Sequence, residues 1–314
     1  MRKILILLCA LPTSYAIGMN TQINSSQLFV IPGQNGLGGQ NIDKILPGFE
    51  PKKVKTPCRY IDFGQTNCQK LLKDQIGPND RDILIHASSQ GTATAINWTA
   101  NNPDKVKALI LESVLLTGNS AIHHTMDSMI FPGIGKVPGS YYLFPYLAKL
   151  IFPFYAPAGE QPIFNAENLP KNLPIIIIHA TKDAQLNFKD AQALYAFLKS
   201  EMKHDNVYLM PIDKESHVLL LGANSQETKG IKSILANHNL YQKENTKDVQ
   251  EELQTYQPKV QQEWLDHFTD RKRQENKIWY FDKTLKASLF ALIAYLFYQS
   301  NMIDQISEKL NFNQ

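Results

Sequence analysis

The chain has 314 residues, of which 43% are hydrophobic and 19% charged, and its 32 lysines and arginines against 29 aspartates and glutamates leave a formal net charge of +3. That is globular composition, long enough for one main domain with appendages, and it lacks the concentrated basicity of a nucleic-acid binder, because the only dense cationic run is Arg271-Lys272-Arg273. Cys9, Cys58 and Cys68 cannot by themselves complete a four-ligand zinc site, no histidine pair has the H-E-x-x-H spacing, and the adjacent His123 and His124 point apart, so neither metal nor cofactor is expected.

At the N-terminus, Arg2 and Lys3 precede an apolar stretch from Ile4 to Leu11 and a small-residue site at Ser14-Tyr15-Ala16. This is the pattern of a secretory signal over residues 1–16, with a short membrane anchor or a buried helix as the alternative. Export would remove Cys9 and leave Cys58 and Cys68 in a compartment where they could pair.

From Gln27 to about residue 240, short apolar runs alternate with longer amphipathic stretches, the rhythm of a parallel sheet covered by helices. Strands are predicted at Leu28–Pro32, Arg59–Phe63, Asp82–Ala87, Val106–Glu112, Pro174–His179 and Val207–Ile212. Helices are predicted at Gly91–Asn102, stopping before Pro103, and at Phe188–Ser200, where Ala191, Leu194, Tyr195 and Leu198 recur at helical spacing. Residues 118–165 break the rhythm with Pro, Gly and aromatic residues and read as an insertion. Residues 241–283 are charged and read as a helical linker. Residues 284–302 contain the apolar run Ala287–Tyr298 and read as an apolar helix that spans a membrane, lies in its interface or packs on protein. Lys286 and the basic residues before it favour a cytoplasmic side under the positive-inside rule, which conflicts with an exported chain; a cytoplasmic, tail-anchored protein is the alternative.

Acyl transfer by serine needs a base beside the hydroxyl, a group that fixes the tautomer of that base, and donors for the oxyanion. The strand at Asp82–Ala87 runs through Ala87-Ser88-Ser89-Gln90-Gly91 into a helix, with small residues on both sides of Ser89, as a sharp strand-to-helix turn requires. Ser88 is the fallback, but its register puts Gln90 at the tight position. The strand at Pro174–His179 ends in Ala180-Thr181-Lys182-Asp183, placing a carboxylate just past a strand. The last strand is followed by Glu215-Ser216-His217.

These segments, each just past a different strand and in the order Ser, Asp, His, resemble the α/β-hydrolase superfamily over roughly residues 27–240. The resemblance implies a mostly parallel six-stranded α/β sheet flanked by helices, with a lid at about 118–165 and a C-terminal helical extension; the short N-terminus leaves no room for two further leading strands. It implies Ser89 as nucleophile, His217 as general base and Asp183 as the acid, with Glu112 as the alternative acid. The backbone N–H groups of Gln90 and Gln34 are the implied oxyanion donors, although Pro32-Gly33 stands where family members often carry His-Gly. The expected activity is hydrolysis of a carboxylic ester or related acyl substrate, esterase- or lipase-like. A peptidase, thioesterase or acyltransferase on the same triad is an alternative, and so is an inactive, membrane-tethered interaction module. The expected partner is a small-molecule or lipid acyl substrate, with membrane association through the C-terminal apolar helix and no nucleic acid.

Overall fold

The computed structural model describes residues 26–33, 42–54, 72–77, 80, 82–130, 132–151, 155–156, 159–218, 220–222, 225–242 and 253–311. The expected signal segment 1–16, the three cysteines, Gln34 and the predicted strand Arg59–Phe63 lie outside the described residues.

Six parallel strands are present among the described residues: β1 (Gln27–Ile31), β2 (Pro51–Lys53), β3 (Ile83–Ser88), β4 (Val106–Glu112), β5 (Ile175–Ala180) and β6 (Val207–Ile212), in the order β2-β1-β3-β4-β5-β6. Helix α1 (Gln90–Asn101) follows β3, α2 (Gly118–Thr125) and α3 (Ser140–Ile151) lie between β4 and β5, α4 (Phe188–Ala196) follows β5, α5 (Gln226–Asn237) follows β6, and α6 (Gln262–Asn311) closes the chain. This is an open, all-parallel six-stranded α/β sheet flanked by helices, the architecture that the α/β-hydrolase resemblance implies. Five of the predicted strands agree with β1 and β3 to β6 to within a residue. The segment Pro51–Lys53 supplies an edge strand that the apolar pattern did not predict, because an edge strand of three residues buries little. Its lysines are exposed and its proline opens the strand, where a missing N–H is tolerated.

Both faces of the sheet are covered, which explains why strands such as Ile175–Ile178 are apolar throughout and do not alternate. Alternate side chains serve two cores. Phe29, Ile85, Leu111 and Ile177 pack with Ile96 and Trp98 of α1 and with Ala191 and Leu194 of α4. On the opposite face, Leu28, Leu84, Ile110 and Ile178 pack against Ile231, Ile234 and Leu235 of α5.

The chain reverses its direction of travel across the sheet between β1 and β3, so their C-terminal ends flank a crevice, the usual site of function in open α/β sheets. At that crevice, the start of α1 presses on the end of β1. A Cβ on Gly91 would stand 2.3 Å from the Ile31 carbonyl oxygen and 2.7 Å from that of Pro32. Backbone cannot retreat as a side chain can, so Gly91→Ala is expected to lower unfolding stability by roughly 2–3 kcal/mol. A urea titration of the two proteins checks this; an unshifted midpoint would mean that β1 and α1 are farther apart.

The segment 262–283, read from sequence as part of a solvated linker, is packed. Trp264 and Phe268 sit in the core of the first face, and the Phe268 ring stacks on Phe197 at 4.0 Å between centroids. Glu275, Ile278 and Asp282 continue this buried stripe at spacings of three and four. Charge misled because these acids are buried by partners from α2 and α3, distant in sequence. The apolar run from Ala287 belongs to the same 50-residue helix, and no helix among the described residues is long and apolar enough to cross a membrane.

Candidate active site

The turn between β3 and α1 is a single residue. Ser89 adopts φ 52 and ψ −123, a left-handed conformation rarely held by a residue with a Cβ. Three hydrogen bonds fix it there: its N–H donates to the Glu112 carbonyl at 2.8 Å, and its own carbonyl accepts from the Thr92 N–H at 2.9 Å and the Thr92 hydroxyl at 2.6 Å. The turn throws the Ser89 side chain above the sheet edge, whereas Ser88, the fallback nucleophile, donates its hydroxyl to Glu112 Oε2 at 2.8 Å and is fully buried. Strain of this kind costs about 1–3 kcal/mol and is relieved by glycine. Ser89→Gly is therefore expected to raise unfolding stability by roughly 1 kcal/mol while removing the hydroxyl. Calorimetry of both proteins measures the difference; a fall in stability would contradict a strained turn.

The structure brings Ser89, His217 and Asp183 together. The Ser89 Oγ is 2.7 Å from His217 Nε2, and His217 Nδ1 is 2.8 Å from Asp183 Oδ2. The other carboxylate oxygen of Asp183 accepts the N–H groups of Gln185 at 2.8 Å and Leu186 at 3.0 Å, a local turn that fixes which oxygen faces the histidine. An ionised carboxylate can only accept, so His217 donates from Nδ1. Its Nε2 is left as an acceptor for the serine hydroxyl. Ser89 retains 9% exposure and the His217 side chain 14%, so the site is shielded from bulk water.

Glu112, the alternative acid, does not touch the histidine. Its Oε1 accepts the Leu220 N–H at 2.6 Å and its Oε2 the Ser88 hydroxyl, tying the elbow to the loop that carries His217. Burial opposes ionisation of Glu112, but the nearby His86 and the hydrogen bonds from Leu220 and Ser88 hold its pKa below the ordinary value.

Two further supports were missed at the level of sequence. Ser113, at the end of β4 with φ 55, donates its hydroxyl to the His217 carbonyl. His179, fully buried and so biased towards the neutral form, accepts the Val114 N–H at Nδ1 and directs Nε2 to the Leu186 carbonyl, 3.2 Å away, bracing the acid loop. The only available signal was position: both residues stand at strand ends on the same rim as Ser89, Asp183 and His217.

The insertion reaches the acid loop as well. His124 Nε2 lies 3.1 Å from the Asp183 carbonyl, and the Ser128 hydroxyl donates to the Ala184 carbonyl at 2.5 Å. Its neighbour His123 instead pairs with the Ser140 hydroxyl at 3.0 Å, within the insertion. Gln90 is the first residue of α1, where backbone N–H groups lack helical partners and the helix dipole favours negative charge. No group of three or more His, Cys, Asp or Glu residues suited to a metal occurs among the described residues.

No protein-family model matches the sequence, and no curated protein matches it. Among solved structures, the chain is similar to the acylaminoacyl peptidase of Pyrococcus horikoshii at 17% identity and a TM-score of 0.45, covering 73% of this chain and 40% of that one. It is also similar to an esterase of Pyrococcus furiosus at 14% identity and a TM-score of 0.47, covering 68% and 82%, and to the Paleococcus ferrophilus monoacylglycerol lipase at 16% and 0.43, covering 68% and 94%. The chain thus spans about 40% of the length of the peptidase.

Proposed function

We propose that this chain, an α/β-hydrolase in fold, is a serine hydrolase that cleaves carboxylic esters or related acyl substrates through an acyl-enzyme. The reading is carried by one observation: an unbroken hydrogen-bonded relay from the Ser89 hydroxyl through both ring nitrogens of His217 to the buried carboxylate of Asp183. In this reading the Ser89 Oγ attacks the substrate carbonyl carbon as His217 Nε2 takes the hydroxyl proton, and Asp183 stabilises the imidazolium without being protonated. The oxyanion so formed is met by backbone N–H groups, for which Gln90 and Gln34 are the candidates. His217 then gives its proton to the departing alkoxide, leaving Ser89 acylated. A water molecule, deprotonated by the same nitrogen, releases the acid and restores the serine.

The hydrolase class is supported by the elbow and the relay together; the ester preference rests on the apolar and aromatic composition of the insertion, of which Phe144 and Tyr155 pack as a buried core with Leu115, Ile122 and, from the acid loop, Leu186. A series of p-nitrophenyl esters of increasing acyl length tests it. The purified chain is expected to hydrolyse them with a clear optimum in length, and Ser89→Ala to lose at least about a thousandfold in kcat. Absence of turnover across the series, or equal turnover by Ser89→Ala, would overturn the reading.

A further inference from the structure

Helix α3 of the insertion carries Leu143, Leu147 and Leu150 at spacings of four and three, and all three are exposed, Leu150 to 81%. A stripe of this kind on a helix is ordinarily turned to a core. Helix α6 repeats the pattern with Phe281, Leu285, Leu289 and Leu292, again exposed. The two stripes adjoin: the Tyr146 ring meets that of Phe281 edge-on at 5.6 Å, and the Tyr146 hydroxyl lies 3.5 Å from the Ile278 carbonyl. Together they make an apolar surface far more continuous than the scattered exposed leucines of an ordinary protein face.

Charge says what covers it. Across residues 128–159 and 276–303 the sequence holds Lys136, Lys149, Lys277, Lys283 and Lys286 and one acid, Asp282, with Asp127, Glu160, Glu275 and Asp304 bordering these stretches; Glu275 is buried, and Asp127 accepts the N–H groups of Gly133 and Gly135. Asp282 is buried and paired with Lys286 at 2.5 Å, so it offsets that one lysine and leaves Lys136, Lys149, Lys277 and Lys283 as the excess positive charge. Two copies of such a surface would repel each other, whereas apolar stripes edged with lysine suit an interface of acyl chains beneath anionic headgroups. Trp279 and Tyr280 before the apolar run and Tyr295 within its end are the amphipathic rings found at headgroup level. The run Ala287–Tyr298 covers about 18 Å of helix against a hydrocarbon core of about 30 Å, a length for lying in the interface and not for crossing it.

We infer that the exposed stripes of α3 and α6 form one docking face for an anionic bilayer surface, from which the Ser89 site draws acyl lipids. The substrate clause rests on the serine-hydrolase reading; the docking face does not. The insertion that carries α3 also holds the acid loop through His124 and Ser128, so the face that meets lipid is physically joined to the relay.

Sedimentation of the full-length Ser89→Ala chain with lipid vesicles tests docking without turnover. The chain is expected to co-sediment with vesicles of phosphatidylcholine containing phosphatidylglycerol, and at least about tenfold more weakly with phosphatidylcholine alone. Lys277→Glu with Lys283→Glu is expected to weaken binding to the mixed vesicles by a further factor of about ten or more, and Leu147→Ser with Leu289→Ser to weaken binding to both compositions. All four positions are exposed, and in the Ser89 protein these variants should retain hydrolysis of a soluble ester. Equal binding to both compositions, binding to neither, or lipid-free dimerisation abolished by Leu289→Ser would overturn the proposal. Vesicle binding without fluorophosphonate labelling of Ser89 would retain the docking face and reject the hydrolase reading.

Discussion

Asp183→Asn is expected to lower kcat roughly ten-thousandfold at neutral pH while leaving KM and the fold nearly unchanged. The size follows from the local turn. Oδ1 of Asp183 accepts the N–H groups of Gln185 and Leu186, so an asparagine keeps its carbonyl oxygen on those two donors. Its amide nitrogen then faces His217 Nδ1, the position occupied by Oδ2 at 2.8 Å. A donor there requires Nδ1 to accept, which puts the ring proton on Nε2 and leaves no acceptor for the Ser89 hydroxyl. Kinetics across a pH series give the loss, and nitrogen chemical shifts of His217 report the exchanged tautomer. A reduction of tenfold or less with the tautomer unchanged would mean that another group orients the ring.

The second large effect concerns the contact between α6 and the insertion. Glu275 is buried with its oxygens accepting the Tyr141 hydroxyl at 2.7 Å and the Asn119 amide at 2.5 Å, and Tyr155 donates to the same asparagine. Burial raises the Glu275 pKa to about 7, and these hydrogen bonds and Arg271, whose guanidinium lies 4.8 Å over the Tyr141 ring, only partly oppose it. A folded pKa above the unfolded one means that the folded state holds its proton longer. The stabilisation is fully present below about pH 4.5, declines as pH rises and is gone above about 7. The loss amounts to roughly 3 kcal/mol.

Asp190 works in the opposite sense. Burial would raise its pKa, but Arg271 and His267 hold it at about 2, so its contribution is present above the usual aspartate range and is lost towards about pH 2. Glu275 by itself is therefore expected to lower stability as pH rises from about 5 to 8, while buried histidines such as His179, whose pKa burial lowers, contribute in the opposite sense as pH rises towards 6.5. Glu275→Gln, which copies the neutral acid, should remove most of the decline and be the more stable protein at pH 8 by roughly 3 kcal/mol. Denaturant midpoints of both proteins from pH 5 to 8 decide it; parallel curves would show that Glu275 does not titrate in this window.

Strands β1 and β3 to β6 were legible because a sheet covered on both faces demands continuous apolar runs, and the meeting of Ser89, Asp183 and His217 because each stands just past the end of such a run. β2 was not, since Pro51-Lys52-Lys53 has no apolar signature and its place is set by pairing with β1. Nor were the roles of Glu112, Ser113 and His179. They depend on strand register, which sets Ser88 opposite Glu112 and brings the ends of β4 and β5 beside the histidine loop. The packing of 262–283 was hidden for a similar reason: Glu275 reads as one more surface acid until Tyr141 and Asn119, 134 and 156 residues away in sequence, are brought beside it.

All of the proposed chemistry requires that one serine be a better nucleophile than every other hydroxyl in the chain. Reaction of the purified protein with a fluorophosphonate probe, followed by peptide mapping, measures that directly. A single adduct on Ser89 is expected, abolished by Ser89→Ala and by His217→Ala and retained in Ser88→Ala. An unlabelled protein, or an adduct on any other residue, would contradict the account.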